Sequence, residues 1–132
     1  MRIAVIVLVS TSLTSACLQD NSQLCAESMV ETEIAVSEVL SWSVDFVSRG
    51  ESWCDDTSGP PAYFDVEFNQ ARGLKFREEL LNRGWDDRGV DADHSDVTYF
   101  TIESEFGELT AMFTSYDTGD VSVSVRLGGI GE

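Results

Sequence analysis

The chain has 132 residues, with 24 Asp and Glu against eight Lys and Arg, a formal net charge of −16 at pH 7. A field of that sign repels nucleic-acid phosphates and anionic lipid headgroups, and no basic stripe interleaved with aromatics offsets it, so the composition disfavours nucleic-acid binding. Hydrophobic residues make up 42% of the chain, including seven Phe, three Trp and three Tyr, which is enough bulky apolar surface for one packed domain with no metal or cofactor.

The first element is a targeting segment. Met1-Arg2 is a short positive start, Ile3 to Val9 an unbroken apolar run, and Ser10 to Ala16 a stretch of small residues apart from Leu13, the three-part order of an export signal. The apolar run is much shorter than the roughly 20 residues a membrane-spanning helix needs. The stretch Leu13-Thr14-Ser15-Ala16-Cys17 resembles the lipobox of bacterial lipoproteins, in which small residues precede a cysteine that is diacylated on sulfur before the signal is removed. The resemblance implies a signal over residues 1–16, lipid on Cys17, and a position on the extracytoplasmic face of a cell membrane. Ordinary cleavage after Ala16, leaving a thiol at Cys17, is the competing reading. Cysteine parity favours the lipid, since Cys25 and Cys54 then remain as an even pair for a disulfide in an oxidising compartment. Every Asp and Glu follows Cys17, so the expected mature protein has seven basic and 24 acidic side chains, a formal −17.

Residues 17–24 read as a lipid-anchored polar tether (Leu18 to Leu24 is LQDNSQL) and 25–132 as a single domain. Ala26 to Val39 reads as a helix with Met29, Val36, Val39 and Leu40 on one side. From Leu40 the period changes to two. Leu40, Trp42, Val44 and Phe46 alternate with polar residues, which predicts a strand, with one long helix from Ser28 to Ser48 as the rival. A turn-rich stretch to Pro61 leads to a second strand at Ala62 to Phe68. Asn69 to Arg83 predicts a helix closed by Gly84. Strands follow at Trp85 to Val90, Thr98 to Ser104, Leu109 to Ser115 and Val121 to Leu127, with turns at Glu105-Phe106-Gly107 and Tyr116 to Gly119. The predicted fold class is α+β, a single antiparallel sheet of five to six strands with two helices on one face, in the order α-β-β-α-β-β-β-β. A lipobox before a compact domain with Gly84-Trp85 and a strand-rich second half also resembles small lipoproteins of actinobacteria, a likeness that implies no particular activity.

Few residues suggest chemistry. Asp91, Asp93 and Ser95 have the one, three, five spacing of a Ca²⁺ loop, but Asp96 stands where the turn needs Gly and Ile102 where the bidentate acid belongs. Asp91, Asp93 and Asp96 therefore read as a solvated loop that is at most a weak cation site. His94, the single histidine, has no sequence partner for nucleophilic catalysis. Glu67, Glu103 and Glu108 are the candidates for a two-carboxylate hydrolase, and strand alternation sends Glu67 to the solvent face. Arg72, Lys75, Glu79 and Arg83 share one side of the second helix, either as a docking stripe for an acidic partner or as a solvated face laced by pairs four residues apart. Trp53, in a turn-rich segment beside Cys54, is a candidate exposed anchor. These features favour a non-enzymatic envelope lipoprotein that binds an envelope protein or component through its sheet face or the Trp53 to Pro61 loop, touching the membrane only through lipid on Cys17. The alternative is a carboxylate-dependent or Ca²⁺-assisted hydrolase of envelope polymers.

Overall fold

The computed structural model describes residues 20–130; the export segment, the lipobox and Cys17 lie outside them. The first helix, α1 (Asn21–Leu40), starts earlier than its apolar pattern suggests because Asp20 caps it, the carboxylate accepting from the Gln23 N–H at 2.9 Å. An acid at the N-cap with Gln three residues on is a capping arrangement. Asn21 to Leu24, assigned to the tether by their polarity, are therefore helical. Val36 and Leu40 are buried as expected, and Cys25, Thr32 and Ala35 complete the stripe.

The strand expected over Leu40 to Phe46 does not form, and neither does the rival long helix. The chain turns after Leu40 and enters a second helix, α2 (Val44–Arg49). Ser43 is its N-cap, with the Phe46 N–H donating to Oγ at 3.3 Å. The apparent alternation hides two environments, since Phe46 is fully buried whereas Val44 is 73% exposed. On a half-buried strand those two side chains would share a face.

The remaining order is β1 (Glu51–Trp53), β2 (Tyr63–Phe68), α3 (Gln70–Asn82), β3 (Asp86–Val90), β4 (Val97–Ser104), β5 (Gly107–Ser115) and β6 (Val121–Leu127). The six strands make one antiparallel sheet in the order β1-β2-β6-β5-β4-β3, so the α+β class and the single sheet are as predicted. Register builds the core. Phe64, Val125, Ala111 and Phe100 align across four strands, and Val66, Val123 and Phe113 align beside them. These side chains point to the face that α1 and α3 cover, and they join Leu40, Phe46, Phe76 and Leu80 in one buried cluster. Both sheet edges are blunted, β1 by being three residues long and β3 by charged residues and a bulge between Asp87 and Gly89, the usual protections against unwanted strand addition.

Cys25 and Cys54 form the expected disulfide, with Cα atoms 5.5 Å apart across a sequence separation of 29. The chain comes back to the foot of α1 through the turn, α2 and the short β1, rather than through one long strand. Asn21 Nδ2 donates to the Thr57 carbonyl at 2.9 Å and the Ala62 N–H to Ser28 Oγ at 3.2 Å, so the 54–61 loop is fastened to the first turns of α1.

Two stability predictions follow from these local structures. Ser43→Ala removes the α2 cap and lowers the unfolding free energy by about 1 kcal/mol, measured by urea denaturation; a strand at this position would show no such loss. Reduction of Cys25–Cys54 frees a loop of that length in the unfolded chain and lowers it by about 3.5 kcal/mol on the chain-entropy model, read as a shift in urea midpoint on adding dithiothreitol.

Candidate functional site

A cleft of about 520 Å³ opens between α2 and α3, within the roughly 300–1,000 Å³ range of small ligand sites. Its floor is aromatic. Trp42 stacks on Phe76 at 5.5 Å, Phe76 lies parallel to the buried Phe46 at 5.0 Å, and Phe68 packs against Phe76 at 5.3 Å. Trp42 is held in place by its Nε1–H, which donates to the Val39 carbonyl at 2.9 Å. Val44 forms an apolar rim. The α3 helix can approach the sheet this closely because Gly73 faces Val121, where an added Cβ would lie 2.9 Å from a methyl group. A smaller cleft of about 360 Å³ adjoins it at Phe68 and Arg72 and is bordered by Arg49, Glu67, Asn69 and Asp120.

The polar rim of the main cleft is the side of α3 that its sequence spacing singles out. Arg72, Lys75 and Glu79 line it, and Arg83 lies over the Trp42 ring at 4.5 Å. The expected lacing is only half present. Glu79 pairs with Arg83 at 3.3 Å and Arg72 with Asp45 of α2 at 3.6 Å, while Lys75 makes no ion pair among the described residues. Cation–π contact between Arg83 and Trp42 holds that guanidinium against the cleft wall.

The other predicted residues fall elsewhere. Trp53 lies on β1 rather than in a turn, 45% exposed, stacked on Tyr63 at 4.6 Å, with its indole N–H donating to Asp65. Ser124 donates to the other oxygen of Asp65, so that carboxylate is engaged on the open sheet face. Glu67 faces outward as alternation predicts. Glu103 and Glu108 oppose each other across β4 and β5, far along the sheet from Glu67, and Arg88 takes Glu108 at 3.7 Å. The three carboxylates do not meet.

Asp91, Asp93 and Asp96 likewise make no cation cage, and no group of three or more His, Cys, Asp or Glu side chains suited to a metal occurs among the described residues. Asp91 is instead a loop staple. Its Oδ2 accepts from the Asp93 and His94 amides and from His94 Nδ1 at 3.0 Å, while its Oδ1 accepts from the Tyr99 hydroxyl at 3.0 Å. The hydrogen bond from His94, with those from Asp93 and Tyr99, holds the Asp91 carboxyl below its ordinary value. The same bond, aided by the charges of Asp91, Asp96 and Asp93, raises His94. Burial raises Tyr99, with the Asp91 hydrogen bond adding to it.

No protein-family model, curated protein or solved structure matches the chain. No helix of the described residues is long and apolar enough to cross a membrane.

The staple sets a pH window. A raised His94 pKa means its contribution is complete below pH 6.5 and is lost as pH climbs through the folded value; a lowered Asp91 pKa means its contribution is present above pH 3.8 and is lost as pH falls through the folded value. The β3–β4 loop is therefore tightest between those limits. In an NMR titration the His94 ring has its midpoint above 6.5, and in Asp91→Asn the midpoint falls back towards 6.5.

Proposed function

We propose that the protein is a lipid-anchored binding module on the extracytoplasmic face of a cell membrane, without enzymatic activity of its own, that meets a partner in the envelope through the α2–α3 cleft. Membrane contact is through lipid on Cys17 alone. The observation that carries this reading is the separation between cleft and attachment point. Trp42 follows the last turn of α1, so the cleft sits one helix length from Asn21, about 30 Å at 1.5 Å per residue. Cys17 precedes Asn21 by four positions, which span at most about 14 Å when fully extended. A short leash at one end and an open aromatic cleft at the other suit a domain that works facing away from its anchor.

The cleft's chemistry supports binding over hydrolysis. Its two carboxylates, Asp45 and Glu79, are each occupied by an arginine, whereas bond cleavage by paired acids requires one carboxyl free to hand over a proton. The aromatic floor is packed in advance, which reduces the ordering cost of a ligand.

Two measurements test the reading. Intact mass of the protein from its native membrane should show a diacylglyceryl-sized addition on Cys17. A photo-crosslinking side chain at Val44, installed in intact cells, should recover one specific envelope partner. An unmodified Cys17 removes the anchor, and a partner recovered only from position Trp53 moves the contact to the edge of the sheet.

A further inference from the structure

The composition of the cleft rim selects what can enter it. The protein after Ala16 carries seven basic side chains against 24 acidic ones, so an anionic group meets repulsion over most of the surface. Three of those seven, Arg72, Lys75 and Arg83, gather at the main cleft against two acids, Asp45 and Glu79. Both acids are already paired. Lys75 is the cation left over, beside an aromatic floor whose Val44 rim is open to solvent. The adjoining smaller cleft is evenly balanced, with Glu67 and Asp120 against Arg49 and the shared Arg72, so the main cleft is the one of the two with a cation in excess. An anionic group is therefore drawn to the Lys75 side, and its apolar body has the exposed Val44 and the half-buried Trp42 to lie against.

We propose that the cleft binds the C-terminal residue of a partner protein, with its apolar side chain against Val44 and the half-buried Trp42 and its terminal carboxylate on the Lys75 ammonium. This rests on the cleft being the binding surface. A C-terminal Phe or Leu brings an apolar group and a carboxylate within one residue, and it brings a single negative charge. An internal acidic run would bring several charges into a field set by the other acids of the domain, with one uncommitted cation to receive them. A carboxylate–ammonium contact at the rim of an apolar site supplies orientation as well as attraction. The volume suits one large side chain and a short stretch of backbone.

The test uses a pentapeptide probe, acetyl-Gly-Ser-Gly-Ser-Phe, with either a free carboxylate or an amide at its C-terminus. Binding to the purified protein is followed by the ¹H–¹⁵N signals of the Trp42 indole and the α3 amides. The free acid should shift the Trp42 signal and bind about tenfold more tightly than the amide, the equivalent of one charge-assisted contact. Lys75→Gln should remove that difference and Lys75→Arg should keep it; Lys75 is exposed, so neither change threatens folding. Equal affinities for acid and amide, or shifts confined to Trp53, overturn the proposal. If neither peptide binds while crosslinking from Val44 still recovers a partner, the terminal-carboxylate proposal falls and the cleft remains the contact surface. If the acid binds as expected and Val44 recovers nothing, the carboxylate preference stands and the envelope-partner reading falls.

Discussion

The stack of Phe46 on Phe76 is the contact through which the helical layer, the sheet and the cleft depend on one another. Their rings are parallel at 5.0 Å. Phe46 comes from a helix of six residues, too short to hold its shape alone, and it is held by burial against Phe64 and Phe68 of β2. Phe76 then touches Trp42 on one side and Phe113 of the sheet on the other. The cleft floor is thus the outer end of the hydrophobic core and not a separate surface patch. Any change that loosens Phe46 loosens Trp42 with it, since both rest on the same ring.

The strand-rich half was legible because its side chains alternate in a way that only one structure satisfies. Val121, Val123 and Val125 point inward and Ser122 outward, with the β6 boundaries as predicted. The first half was misread where capping outweighed periodicity. Over seven residues Leu40 to Phe46 fits a period of two by composition, yet Ser43 can accept the Phe46 amide and start a helix, which burial of Phe46 against β2 then holds. The same blindness shortened α1, where Asp20 and Gln23 form a cap within residues that looked like linker. Both signals were present as residue types at cap spacing. The apolar pattern carried more weight because it spans more residues.

The candidate site was half legible for a related reason. The side of α3 carrying Arg72, Lys75, Glu79 and Arg83 follows from helical spacing alone, and the structure places it at the cleft. What spacing could not supply was the opposing wall. Asp45 reaches Arg72 from α2, which forms the facing wall of the cleft, and reading a strand there hides both the wall and the concavity. Without α2 the sequence shows no cleft, and Trp53 stands out in its place although its indole is committed to Tyr63 and Asp65.

Charge and attachment act together at the other end of α1. Asp20, Asp55 and Asp56 cluster around the fastened 54–61 loop and the start of the helix, and hydrogen bonds from Thr57 and Ser58 keep Asp55 below its ordinary pKa and so ionised. On the proposed attachment, lipid on Cys17 draws this end to a surface that anionic headgroups make repulsive to it. The repulsion decays over about 8 Å at physiological ionic strength, shorter than the roughly 14 Å that the four steps from Cys17 to Asn21 can span. On that attachment the leash is long enough for the acidic end to stand off where most of the repulsion is screened. The disulfide and the Asn21–Thr57 hydrogen bond lock the loop to α1, so the loop and the helix stand off as one body. With the helix already begun at Asn21, the proposed anchor holds the domain on a shorter leash than a tether reaching to Leu24 would.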